Sequence, residues 1–206
     1  MCFDGKDNDL DGNIDCADAD CIIAQECASV DSGAIDHTPW IMLSAGMHAT
    51  CALQGSGRVT CWGSGECDTC DIHAPQNPHT QQVAPDGEYT SIQMGYLHTC
   101  ALTIEGEVEC WGLNDKGQSA PPTTGGPWQS VTVGEYHTCA LDWAGEIECW
   151  GNNATDQLNA PNGPWVSVTS GWDHVCALSE DGGVQCWGGD ERDQVSATPT
   201  STKFSS

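Results

Sequence analysis

Asp7, Asp9, Asp11, Asn13, Asp15 and Asp18 occupy positions 1, 3, 5, 7, 9 and 12 of a twelve-residue stretch, with Gly12 at position 6 and Ile14 at position 8. Oxygen ligands at this spacing wrap a calcium ion: alternate side chains face the metal, the residue at position 7 offers its backbone carbonyl, and the glycine permits the sharp turn. So many carboxylates in a compact loop repel one another unless a hard cation neutralises them. Asp18 is shorter than the bidentate Glu usual at position 12, which lowers affinity toward the range of extracellular modules. A solvated acidic linker is the competing reading. No helical pattern flanks the stretch, so the expected structure is a helix-free calcium loop. The segment is too poor in apolar residues to build its own core, and disulfides must help to hold it. Its cysteines, Cys2, Cys16, Cys21 and Cys27, allow three pairings that sequence does not choose between.

A second constellation is Cys67, Cys70, His73 and His79, an order of thiols and imidazoles able to surround a tetrahedral zinc ion. A Cys67–Cys70 disulfide competes for the same sulfurs, and an oxidising compartment favours it. Beyond these two clusters the chemistry thins out. No Ser-His-Asp arrangement, glycine-rich phosphate loop or HExxH sequence occurs. No organic cofactor is expected, and no catalytic residue stands out.

The whole chain sets the frame for these groups. It has 206 residues, with 30 Asp and Glu against 5 Lys and Arg, for a formal net charge of -25. Duplex binding draws most of its affinity from cationic side chains that displace counterions, so nucleic acid and anionic membranes are poor partners. No apolar run reaches the roughly 18 residues that a spanning helix requires, so no membrane insertion is expected. The first residues are acidic and do not read as a secretory signal. Fourteen cysteines exceed what a reduced cytosolic protein of this size usually carries, and they point to an oxidising compartment.

Four segments repeat, beginning at Gly46, Gly95, Gly134 and Gly171. In each, Cys-Ala-Leu follows the glycine by five residues, and Cys-Trp-Gly begins ten residues after that cysteine. Upstream lies an aromatic followed by apolar alternation: Trp40, Tyr89 with Ile92, Trp128 with Val131 and Val133, and Trp165 with Val166 and Val168. Short alternating runs punctuated by turn residues predict antiparallel strands and an all-β array. In the second repeat Leu102 and Val108 flank Thr103 and Glu107, leaving Ile104-Glu105-Gly106 as a three-residue hairpin loop whose glycine can take positive φ. Gly57, Gly145 and Gly182 hold the same place. Counting back from these turns sets Cys51 opposite Cys61, Cys100 opposite Cys110, Cys139 opposite Cys149 and Cys176 opposite Cys186, each pair a candidate cross-strand disulfide. Closing about ten residues is worth roughly 2.7 kcal/mol by chain-entropy arithmetic. Redox-active thiols are the alternative, and four identical placements suit a scaffold better.

The recurring Gly-x-x-His start, Ala-Leu strand, turn glycine and Trp-Gly end, followed by Asn114, Gly117 and Gln118 and more loosely by Asn152 and Gln157, resembles the repeat of the regulator of chromosome condensation family. The resemblance covers residues 39–206 and implies a β-propeller, normally of seven blades. The cysteines and the period are similar to secreted bacterial members, including the propeller that inhibits β-lactamases. The acidic head resembles thrombospondin type 3 repeats and the Cys-rich motifs of bacterial surface proteins. Residues 1–28 are thus expected to form a calcium-binding motif, 29–38 a linker, and 39–87, 88–126, 127–163 and 164–203 four blades, with a fifth beginning at 204. The segment Lys203-Phe204-Ser205-Ser206 aligns with Pro164-Trp165-Val166-Ser167, so a fragment with an open blade edge is expected.

A residue required in every repeat serves the scaffold. His98, His137 and His174 are therefore read as hydrogen-bonding pins between strands, and Trp62, Trp111, Trp150 and Trp187 as packing between blades. Variable positions are better candidates for binding. The pairs Met47-His48, Tyr96-Leu97, Glu135-Tyr136 and Trp172-Asp173 follow the repeat glycine and should recur on one face. From them, Met47, Tyr96, Tyr136, Trp172 and Asp173 are partner-binding candidates, together with Trp143 at a hairpin tip; packing on neighbouring loops is the alternative. The expected function is that of a non-enzymatic, secreted or cell-surface binding module for an extracellular protein or glycan. An extracellular enzyme inhibitor of the β-lactamase-inhibitor type, implied by resemblance, and a propeller-based hydrolase are the competing readings. Nucleotide exchange on a nuclear GTPase, the founding activity of the family, fits neither the disulfide spacing nor the scarcity of cations.

Overall fold

A computed structural model describes residues 38–63 and 83–199. The calcium-loop candidates Asp7, Asp9, Asp11, Asn13, Asp15 and Asp18, the head cysteines, the zinc candidates Cys67, Cys70, His73 and His79, and the start of a fifth repeat at 204 lie outside the described residues. The chain divides into two units, Met1–Thr38 and Pro39–Ser206, and every described strand belongs to the second.

Twelve strands form four three-stranded antiparallel sheets. The first holds β1 (Trp40–Ala45), β2 (Ala49–Gln54) and β3 (Val59–Gly63), and the second β4 (Tyr89–Met94), β5 (His98–Thr103) and β6 (Val108–Gly112). The third holds β7 (Trp128–Val133), β8 (His137–Asp142) and β9 (Ile147–Gly151), and the fourth β10 (Trp165–Ser170), β11 (His174–Ser179) and β12 (Val184–Gly188). Within each sheet the strands follow chain order, because short hairpins leave no room for another strand between neighbours. No helix among the described residues is long and apolar enough to cross a membrane.

The hairpin turns fix the register. Thr103 N–H donates to the Glu107 carbonyl and Gly106 N–H to the Thr103 carbonyl, with Gly106 at φ 81° and Gly57, Gly145 and Gly182 at 83–86°. Leu102 then faces Val108 and Cys100 faces Cys110. All four repeats share this register, and the sulfurs are bonded as Cys51–Cys61, Cys100–Cys110, Cys139–Cys149 and Cys176–Cys186.

A bulge follows the aromatic that opens each first strand: the register shifts between Trp40 and Met42, Tyr89 and Ser91, Trp128 and Ser130, and Trp165 and Ser167. One extra residue moves every following side chain to the other face. Val166, which the alternation grouped with Val168, therefore faces solvent.

Successive sheets pack through one recurring contact. The leucine of the middle strand meets the opening aromatic of the next blade: Leu53 with Tyr89, Leu102 with Trp128, and Leu141 with Trp165. Leu178, which has no following blade among the described residues, is 39% exposed. Trp150 and Trp187 lie buried with their indole N–H groups donating to the Gln118 and Gln157 carbonyls of the preceding blade, at 3.0 Å each. Trp62, without such a blade among the described residues, is 50% exposed.

The interblade loops show which residues are equivalent. Ser119 N–H donates to Asn114 Oδ1 and Leu158 N–H to Asn153 Oδ1. Asn153, not Asn152, is therefore the counterpart of Asn114, which corrects the looser alignment read from sequence. Gly117 has positive φ, and Asp156 and Asp193 take the same conformation at the equivalent sites.

Candidate functional site

Each first strand ends at the repeat glycine, and the chain turns there into the middle strand. In the second, third and fourth blades the glycine is needed because the histidine three residues on lays its ring against it: a Cβ on Gly134 would overlap the His137 imidazole and come within 2.8 Å of the Gly171 carbonyl oxygen. The two residues between glycine and histidine are thereby exposed to a choice of direction, and they diverge.

The first of the two converge. Met47, Tyr96, Glu135 and Trp172, together with the strand ends Ala45, Met94, Val133 and Ser170, line one cavity of about 340 Å³ shared by all four blades. The Tyr96 and Trp172 rings meet edge-on, with centroids 5.4 Å apart and planes at 66°. Met47 and Trp172 are 51% and 60% exposed. Glu135 N–H donates to the Trp172 carbonyl at 2.9 Å, which ties the third blade to the fourth at the rim. Burial first, and then the Asp173 carboxylate, push the Glu135 carboxyl above the ordinary range, against the lowering effect of a hydrogen bond from the Trp172 side chain. Among the described residues, no Lys, Arg or His lines the cavity.

The second residues point elsewhere. Leu97 is buried with Leu113, and Tyr96 and Tyr136 pack against that pair. Tyr136 also touches Tyr96, with centroids 5.9 Å apart, but lines a neighbouring groove of about 170 Å³ with Asp173, Asn152 and Gln157, whose edge Glu135 and Trp172 share with the mouth. Burial raises the Tyr136 hydroxyl, with Glu135 adding to the effect. Asp173 lies 3.8 Å from His174 Nδ1 and accepts from Gln194 Nε2 at 3.4 Å. Of the candidates read from sequence, Met47, Tyr96 and Trp172 thus share the mouth, while Tyr136 and Asp173 form its flank. Trp143 is 71% exposed but sits past the end of β8 that lies away from the mouth. Glu135 is missing from the candidates read from sequence, although its place immediately after the repeat glycine is the available signal.

Beneath the mouth His98 acts between blades, not between strands of one sheet. His98 Nε2 meets Thr138 Oγ1 at 2.9 Å, and that hydroxyl donates to the Gln118 carbonyl at 2.9 Å. With its only hydrogen committed, Thr138 must accept from His98, which assigns the proton to Nε2. The next interface lacks this link: Val175 stands where Thr138 stands, and both ring nitrogens of His137 are buried without a hydrogen-bond partner. Val175→Thr is therefore expected to raise stability by roughly 1 kcal/mol in urea unfolding, as one buried hydrogen bond contributes. A loss of that size would mean that the new hydroxyl finds neither His137 nor the Gln157 carbonyl.

Comparison with known proteins places this architecture. The family model described as Regulator of chromosome condensation (RCC1) repeat matches residues 89–118 and 165–194. No curated protein sequence matches the chain. Among solved structures, the ectodomain of the Physcomitrella patens receptor kinase CR4 is 25% identical with a TM-score of 0.59, over 73% of this chain and 39% of that one. The CRINKLY WD40 ectodomain of the Arabidopsis thaliana receptor kinase ACR4 is 24% identical, with a TM-score of 0.57, over 74% and 51%. The structure of Kap60 bound to yeast RCC1 (Prp20) is similar at 20% identity and a TM-score of 0.59, over 76% and 45%. The chain thus spans about half or less of these proteins. It is an all-β partial propeller built of RCC1-like repeats, with a disulfide in each of its four described blades.

Proposed function

We propose that this chain is a non-enzymatic binding module of a secreted or cell-surface protein, and that it holds a protein partner at the mouth formed by Met47, Tyr96, Glu135 and Trp172. One observation carries the reading: the position that varies from repeat to repeat is brought by all four blades onto one cavity. Scaffold positions repeat because every blade needs them, whereas a shared cavity lined by unlike residues is free to be shaped by a ligand. Exposed aromatics with little rotamer freedom make good anchors. The four hairpin disulfides support an oxidising location, as does the likeness to receptor-kinase ectodomains. Calcium bound at Asp7 to Asp18 would stiffen the acidic head.

The test uses peptides selected from a random library on the immobilised protein, with a glycan array run in parallel. Replacing Met47 and Trp172 by alanine removes two exposed side chains and the Tyr96–Trp172 ring contact, so unfolding is expected to shift by no more than about 2 kcal/mol, while the selected peptides lose at least about tenfold in affinity. Undiminished peptide binding by the double variant, or binding of glycans alone, overturns the reading. Tyr136 is left in place because it packs on Leu97 and Leu113.

A further inference from the structure

We infer that the mouth recognises an organic ammonium group, a cationic nitrogen on a short apolar stem; this rests on the mouth being a binding site. The walls are aromatic and thioether: Tyr96 and Trp172 form a corner, with Met47 and Met94 beside it. Ring faces attract cations through their quadrupole, and most strongly where water is excluded. An apolar pocket of this kind would serve a neutral ligand equally well were it not for Glu135. That side chain is the charged group among the described lining residues, none of those residues is cationic, and Asp173 stands close enough to repel it. Bringing a carboxylate into a partly desolvated corner without a counter-ion is unfavourable, and a bound ammonium relieves that penalty while lying against the rings.

The surroundings favour the same class of ligand. Among the described residues the cationic side chains are Arg58, Lys116 and Arg192, and Lys116 lies 3.5 Å from Asp115. The formal charge of -25 draws cations toward the protein and repels anions. The groove of about 170 Å³ beside the mouth shares Glu135 and Trp172 with it and adds Tyr136 and Asp173, so the acidic, aromatic character extends onto the flank, whereas the two larger cavities lack it. A cavity of about 690 Å³ beside the β11–β12 turn has Glu180 and Asp181 with Trp165 as its aromatic, and one of about 610 Å³ beside the β5–β6 turn has Glu105 and Glu107 with Trp128. Both of those tryptophans are committed to interblade contacts.

Two sources supply such a group, a lysine or methyl-lysine side chain of a protein and a free quaternary amine. The probes are a short peptide carrying trimethyllysine, the same peptide with lysine, the same peptide with norleucine, and free choline, each titrated into the full chain. The Trp172 indole N–H resonance reports binding, with the remaining tryptophans as internal controls. A saturable shift confined to Trp172 is expected for the trimethyllysine peptide, with the norleucine peptide roughly tenfold or more weaker. Glu135→Gln should weaken the cationic probes several-fold and leave the norleucine peptide unchanged. Choline binding as tightly as the trimethyllysine peptide identifies a free amine as the source, and a tenfold preference for the peptide identifies a protein side chain. Equal binding of norleucine and trimethyllysine, an unaffected Glu135→Gln variant, or no shift at Trp172 overturns the inference. If library-selected peptides still lose affinity on the Met47 and Trp172 double variant, the mouth stands as a binding site for a ligand that is not cationic. If neither set of ligands responds, both readings fall.

Discussion

Replacing Cys139 and Cys149 together by alanine is expected to destabilise the protein by about 3–4 kcal/mol. Roughly 2.7 kcal/mol of this comes from releasing the constraint that a ten-residue bridge places on the unfolded chain, and the rest from lost packing at Cys139, which is fully buried beside Leu141, Trp165 and Trp187. In a domain of this size the change lowers the melting temperature by roughly 10 °C. The third blade has a neighbour on each side, and in an array of repeats a weakened unit also weakens both of its interfaces. Scanning calorimetry of the double variant beside the wild type, with and without reductant, checks this. A shift under about 2 °C would mean that the bridges do not hold the blades.

Acidification from pH 7 to pH 5 is expected to lower the unfolding free energy by about 4 kcal/mol through two histidines. Burial holds His98 at about 3, with His137 adding to the effect, and burial likewise holds His137 at about 4, partly offset by the Asp173 carboxylate. Both lie below the unfolded value of 6.5. The unfolded chain therefore binds protons across this window and the folded chain does not, so stability is full above pH 6.5 and is lost as the pH falls toward 4 and then 3. Glu135 works in the opposite sense: its raised carboxyl favours the folded state at lower pH. The general relief of carboxylate repulsion also belongs mainly to lower pH. Urea unfolding at half-unit pH intervals, with imidazole resonances followed by NMR, separates these effects. Imidazoles of His98 and His137 that titrate near 6.5 would overturn the expectation.

Much of the architecture is legible in the residues because the repeat carries its own register. The turn glycine, the distance from that turn to each cysteine, and the recurrence of both in four places leave one way to pair the hairpin, and the bonds Cys51–Cys61 to Cys176–Cys186 follow from local geometry. The bulge after each opening aromatic was not legible, because a one-residue slip changes no composition and only the partner strand reveals it. It moved Val166 to solvent. The histidine pins were legible as scaffold but not as to partner: whether a ring finds a hydroxyl depends on Thr138 or Val175 in the following blade, which lies about forty residues on.

The candidate site divides along the same line. Local sequence determined that the two residues after each repeat glycine would be loop residues free to vary, since strand pairing and disulfide spacing leave them outside every ladder. Only the packing of one blade on the next decided that Met47, Tyr96, Glu135 and Trp172 meet while Leu97, Tyr136 and Asp173 turn aside. A strand's register is set by neighbours a few residues away, whereas the convergence of four loops depends on the angle between sheets. That angle is fixed by interblade contacts such as Leu102 with Trp128 and Leu141 with Trp165, and these join residues no single repeat contains.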